Sequence, residues 1–170
     1  MTVGLVIGKF MPLSKGHEYL LHFAAQQVDQ LWVMVCGIEG EPIPLGLRTG
    51  WVRQSVGGLP NVTVVEYGEE IQQEPNSVLD SQFWLSWTRA IYQSTGNALI
   101  DYVFSSENYG FELAEWLNAI HIPCNIPRNI VPISGTDIRA HPQAHWDNIS
   151  EAARPYFVKR IVIGGPESTG

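Results

Sequence analysis

Residues 8–17 read Gly-Lys-Phe-Met-Pro-Leu-Ser-Lys-Gly-His, so two lysines, a serine, a histidine and two glycines fall within ten positions. An unbroken apolar run, residues 3–7, leads into them, and Leu20, Leu21, Ala24 and Val28 follow at helical spacing. A buried strand, a glycine-containing loop and a helix start make a place to hold phosphate. Backbone N–H groups and the positive end of the helix dipole point outward there, and Lys9, Lys15 and His17 can add charge-assisted hydrogen bonds. A second stretch with the same chemistry lies over a hundred residues on. There a short apolar lead ends at Ser134, placed to cap a helix that carries Thr136 and Arg139.

The elements that must position these groups are legible as alternating strands and helices. Residues 31–37 form a second apolar run closed by a glycine. Residues 38–46, with two prolines, two glutamates and two glycines, suit a mobile loop at the strand ends. A helix is expected over 47–56, with Arg48 and Arg53, then a stop at 57–60 and a short β-branched strand at 62–65. A polar loop, 69–80, is long enough to be functional. A helix at 81–94 places Trp84, Trp87 and Ile91 on one stripe, a strand at 102–104 runs into Ser105, Ser106 and Glu107, and a further helix is expected over 111–120. This order predicts an α/β domain with a parallel sheet, right-handed crossovers and ligands at the carboxyl ends of the strands.

Composition narrows the partners. The 170 residues hold 45% hydrophobic content, enough for one core, and carry a formal net charge of −7 with only 10 Lys and Arg. A nucleic-acid backbone and an anionic membrane surface are therefore poor partners, and the basic residues near the strand ends are local tools. Cys36 and Cys124 have no C-x-x-C or Cys/His ligand spacing, which speaks against a disulfide scaffold and a structural zinc and suits a reducing cytoplasm. No apolar stretch reaches membrane-spanning length, and no basic region precedes the N-terminal apolar run. His141, His145 and Asp147 flank Pro142 and are expected on a surface loop, so no metal ligand is assigned.

Residues 8–17 resemble the nucleotidyltransferase signature G-x-F-x-P-x-H/T-x-G-H, with Ser14 where that signature has its first histidine. Residues 133–139 resemble the I-S-x-T-x-x-R motif of the same enzymes. Trp84-x-x-Trp87, residues 154–160 and residues 161–170 are similar to the NadR-like group, in which nicotinamide-nucleotide adenylyltransferase and ribosylnicotinamide kinase activities are joined. The resemblance implies a Rossmann-like nucleotidyltransferase fold, a central parallel sheet flanked by helices, and transfer of AMP from ATP to nicotinamide mononucleotide. It implies that Gly8, Lys9, Phe10 and Gly16 line the ATP site. His17 and Ser14 would hold the α-phosphate, Lys15 would assist, and Ser134, Thr136 and Arg139 would secure the β,γ-phosphates. Mg²⁺ would arrive with ATP, held mainly by its phosphates.

Trp84 taken alone suits a helix-face core residue, whereas the resemblance aligns it with a tryptophan that stacks on nicotinamide. Arg48 is a candidate for a substrate phosphate, beside the plainer reading of a solvated helix face. By the same resemblance residues 1–157 are the transferase domain, and residues 158–170 begin a kinase domain whose G-x-x-x-x-G lacks the Lys and Ser/Thr of a complete phosphate loop. The chain is then expected to be the transferase half of a longer protein. Another phosphorylated acceptor (nicotinate mononucleotide or phosphopantetheine), a non-catalytic NAD- or ATP-binding sensor, and self-association all stay open.

Overall fold

The computed structural model describes residues 1–76, 80–124 and 133–158. Five strands form one parallel sheet: β1 (Val3–Gly8), β2 (Gln30–Cys36), β3 (Val62–Tyr67), β4 (Tyr102–Ser105) and β5 (Ile120–Pro123), in the order β3-β2-β1-β4-β5. The helices are α1 (Lys15–Ala25), α2 (Leu45–Val56), α3 (Ser81–Ser94), α4 (Tyr109–Leu117) and α5 (Gly135–Ala140), followed by 3₁₀ turns at Trp146–Asn148 and Arg154–Phe157. The central strands are unbroken apolar runs because both of their faces are covered. Val6, Val33 and Val35 pack with Leu20, Leu21, Ala24 and Val52 of α1 and α2 on one face. Leu5, Met34 and Val103 pack with Phe83, Trp87 and Leu113 of α3 and α4 on the other. This is the Rossmann-like arrangement expected, with its topological switch between β1 and β4.

The two ladders of β1 are unequal. It pairs with β2 along its whole length, from Val3↔Gln30 to Gly8↔Val35, but with β4 only at Gly4↔Tyr102 and Leu5↔Val103. Beyond Leu5 the two strands part. The carbonyl of Ile7, which a longer ladder would engage, instead accepts a hydrogen bond from the Tyr109 hydroxyl at 2.7 Å. Burial, with the Glu107 charge adding to it, pushes the Tyr109 phenol well above its ordinary range, so it remains a donor.

Three expectations are corrected. The helix expected over 111–120 ends at Leu117, because Asn118 adopts a left-handed conformation (φ 52°, ψ 40°) that asparagine tolerates. The chain then turns into β5, paired to β4 from Tyr102↔Ile120 to Ser105↔Pro123. Helix α2 starts at Leu45, directly after Pro44, and β3 continues to Tyr67. Residues 159–170, which carry the strand and the incomplete phosphate loop, lie outside the described residues, as do Val131 and Pro132. No helix among the described residues is long and apolar enough to cross a membrane.

Packing around β4 and β5 leaves no room at Gly110. A Cβ there would sit 2.2 Å from Ser105 Oγ and 2.3 Å from His121 Nε2, and those two groups share a 2.9 Å hydrogen bond. Gly110→Ala is expected to cost about 1–3 kcal/mol of stability, as overpacking does. Urea unfolding checks it, and an unchanged midpoint would show that α4 can slide to make room.

Candidate active site

Helix α1 opens on a reciprocal cap. Ser14 Oγ accepts from the His17 N–H at 3.4 Å, and His17 Nδ1 accepts from the Ser14 N–H at 3.2 Å and lies 2.9 Å from Ser14 Oγ. Since Nδ1 accepts a backbone proton, Nε2 carries the ring hydrogen and is a donor. The Phe10 ring meets the imidazole edge-on, with centroids 5.1 Å apart. Phe10 itself is 2% exposed and has φ 48°, a left-handed conformation that is unusual for a bulky side chain. The expectation that Phe10 lines the nucleotide site is therefore corrected for its side chain, which lies in the core and braces His17 from within. Ser14 is buried and carries the cap.

Helix α5 arrives beside this loop from the far end of the sequence. Ser134 caps it in a second reciprocal pair, with Asp137. Arg139 donates to the carbonyl of Met11, and its other nitrogen donates to Thr136 Oγ1 at 3.2 Å. Contact is close: a Cβ on Gly135 would lie 2.8 Å from Met11 O. The 8–17 loop and the 133–139 segment thus meet in one cleft of about 70 Å³. Ser14, Gly16, His17 and Tyr19 line one side, Ile133, Ser134 and Gly135 the other, with Ser106, Glu107 and Cys124 completing it. It sits where β1 and β4 part. Two capped helix starts and a histidine suit bound phosphate, while Arg139 and Thr136 lie behind the lining, Arg139 holding the two segments together.

Lys15 reaches Glu18 at 3.0 Å. Burial tends to raise the Glu18 pKa, but hydrogen bonds from Ser150 and Lys15 outweigh it and hold the carboxyl below its usual range. The Ser150 hydroxyl donates to Glu18 at 2.6 Å and its N–H donates to Leu13 O at 3.1 Å, so the segment after α5 clasps the cap of α1.

Arg48 departs from both of its readings. It is 0% exposed, so it neither forms a solvated face nor reaches a substrate phosphate. Its Nε donates to Ile43 O at 2.9 Å, Nη1 to Lys9 O at 2.7 Å and to Cys36 O at 2.8 Å, and Nη2 to Glu41 Oε2 at 2.6 Å. The planar fork of arginine satisfies three chain segments at once. Glu41 Oε1 pairs with Lys9 Nζ at 2.8 Å. Glu41 also lines a larger cavity of about 350 Å³, with Gly37, Ile38, Glu39, Gly40, Ile43, Pro44, Leu45 and Gly68, at the carboxyl ends of β2 and β3. The loop expected to be mobile is pinned by this buried pair.

Trp84 lines neither cavity. It is 8% exposed in the core cluster on the α3 face, edge-on to Phe83 with centroids 4.8 Å apart. The core reading of Trp84 matches its place. Sequence reasoning missed Glu41 and Tyr109. Glu41 sat among turn residues that masked it, and the tyrosine three residues past Glu107's neighbour Ser106 gave no periodic signal.

A family model described as the citrate lyase ligase C-terminal domain matches residues 3–79. The trifunctional NAD biosynthesis/regulator protein NadR of Escherichia coli (strain K12) is 28% identical over 99% of this chain, and the chain spans 44% of that relative's length. Phosphopantetheine adenylyltransferase of Streptococcus equi subsp. zooepidemicus is 30% identical over 81% of this chain and 79% of its own. Among solved structures, a NadR protein in complex with NAD and AMP-PNP superposes with a TM-score of 0.71 at 23% identity, over 93% of this chain and 47% of that one.

Proposed function

This chain belongs to the adenylyltransferase family as an NMN adenylyltransferase-like domain, and from that premise we propose that it transfers AMP from ATP to nicotinamide mononucleotide, giving NAD and pyrophosphate. The observation that carries the reading is the cleft in which the caps of α1 and α5 meet. A phosphate oxygen of the acceptor attacks the α-phosphorus of ATP, a new P–O–P bridge forms, and the bond to the β-phosphate breaks. The nucleophile is already an anion, so no general base and no covalent enzyme intermediate are needed. Alignment and charge stabilisation do the work.

His17 Nε2–H and the N–H groups at the start of α1 hold the α-phosphate, with Gly8 and Gly16 letting the backbone approach. Ser14 acts by fixing the cap and the imidazole. Lys9 and Lys15 offset the charge, and Ser134, Thr136 and Arg139 receive the β,γ-phosphates as pyrophosphate forms. Mg²⁺ enters as part of the ATP substrate. In this reading the acceptor's cationic ring enters the larger cavity, which is lined by Glu39, Glu41 and apolar side chains.

Arg139→Ala is expected to raise the KM for ATP about ten- to a hundredfold, the value of a hydrogen bond to a charged group, with little change for the acceptor. Steady-state kinetics checks this, and a change confined to the acceptor would move Arg139 to the other subsite. The similarity to phosphopantetheine adenylyltransferase favours a second reading, the same transfer to phosphopantetheine. Pyrophosphate release from ATP with nicotinamide mononucleotide, nicotinate mononucleotide and phosphopantetheine in turn decides between them. Absence of release with all three, with ATP still bound, would leave a nucleotide-binding sensor.

A further inference from the structure

We propose that Glu41 is a positioning residue of the transfer: its carboxylate, in the wall of the larger cavity and anchored by buried Arg48, fixes the ammonium of Lys9, a residue of the 8–17 loop. This rests on the adenylyl-transfer reading of the site. Arginine and carboxylate pair most strongly through two parallel hydrogen bonds. Here they do not. Oε2 takes the Arg48 Nη2 at 2.6 Å and the Ile38 N–H at 3.2 Å, which leaves Oε1 for Lys9 at 2.8 Å.

The support beneath that carboxylate is extensive. Arg48 is bound to the carbonyls of Ile43, Lys9 and Cys36, and Gly37 provides the space, since a Cβ there would lie 2.4 Å from Arg48 Nη2 and 3.1 Å from Glu41 Oε2. Burial works against the Glu41 charge, but the paired Lys9 ammonium, the Ile38 N–H and the Arg48 charge prevail, so the carboxyl stays ionised well below neutrality. The Glu41 side chain is 9% exposed and that of Lys9 43%. An ion pair with so exposed a lysine contributes little to stability. What it does is place a flexible ammonium, the backbone of the same residue being held by Arg48. Two anionic substrates must meet with their phosphates adjacent, and a cation held in place by Glu41 on the loop that carries the phosphate-binding residues would lower that repulsion and order the approach.

The test is a double-mutant cycle on Lys9→Met, Glu41→Gln and the two combined, read as kcat with ATP and nicotinamide mononucleotide at a temperature where each variant is fully folded. Glu41→Gln is expected to lower kcat about ten- to a hundredfold, the cost of a misplaced group, and to add nothing in the Lys9→Met background. Effects that multiply in the double variant, or a wild-type kcat in Glu41→Gln, would overturn the proposal. Should Glu41→Gln not fold, Glu41→Gln/Arg48→Met removes both buried charges together and stands in for it. There Lys9→Met is expected to add nothing to the loss of kcat, and a further loss on adding Lys9→Met, or wild-type turnover, would overturn the proposal. If the wild-type chain turns over no acceptor, the transfer reading fails by itself. The coupling is then read from the Kd of ATP by calorimetry in the same proteins, where non-additive shifts support the role of Glu41 and additive ones overturn it.

Discussion

His17→Ala is expected to lower kcat by about two to three orders of magnitude, the loss that follows when a preorganised donor to a developing charge is removed. The geometry says which nitrogen is responsible. Nδ1 is committed to the Ser14 N–H, so the proton resides on Nε2, and the buried Phe10 ring restricts the imidazole from below. A donor fixed in this way is in place before charge builds on the α-phosphate. The same substitution removes one reciprocal hydrogen bond from the cap, a cost of about 1 kcal/mol, while Ser14 continues to cap α1. Activity should therefore collapse in a protein that still folds cooperatively. Single-turnover kinetics beside a thermal melt checks both halves, and unchanged turnover would remove His17 from the mechanism.

Trp84→Ala is expected to cost about 3–5 kcal/mol of stability, the range for emptying a buried aromatic site. The indole packs in the cluster formed by Leu5, Met34, Phe83, Trp87 and Val103, and Trp87 is fixed nearby by its own hydrogen bond from Nε1 to Gln72 O at 3.0 Å. The fraction that remains folded should bind the acceptor with its ordinary affinity. Denaturant unfolding, with acceptor binding measured on folded protein, separates the two effects. An acceptor affinity lost at unchanged stability would support the stacking role and show that the indole can leave the core.

Much of the architecture was legible because local signals agreed with the tertiary arrangement. The runs at residues 3–7 and 31–37 are strands because both faces are covered, and Ser134 caps a helix as its type and place foretold. What could not be read depends on contacts between segments distant in the chain. Arg48 shows a helical position with a charged side chain, which by itself predicts solvent exposure. Only the three carbonyls and Glu41 that converge on it make burial favourable. At 111–120 the apolar spacing suits a helix throughout, and the turn at Asn118 wins because Ile120 to Pro123 gain a whole ladder with β4. Phe10 is expected to line the nucleotide site from the resemblance of residues 8–17 to the signature, yet its ring is buried, on a backbone of left-handed conformation that a sequence does not announce.

The parting of β1 from β4 has a mechanical consequence. With two residue pairs in that ladder against six between β1 and β2, the middle of the sheet is also joined by Asp101, whose N–H donates to Val3 O at 2.9 Å and whose carboxylate accepts from the Val3 N–H at 2.7 Å, by the packing of Leu5, Ile100 and Val103, and by the Tyr109 hydroxyl. Apolar packing is non-directional and accepts small rotations that a row of hydrogen bonds resists. The seam between β1 and β4 is held by fewer ladder hydrogen bonds than the one between β1 and β2. The room this leaves beyond Leu5 is where the residues that follow the two strands, Ser14, Gly16 and His17 on one side and Ser106 and Glu107 on the other, come to line one cleft.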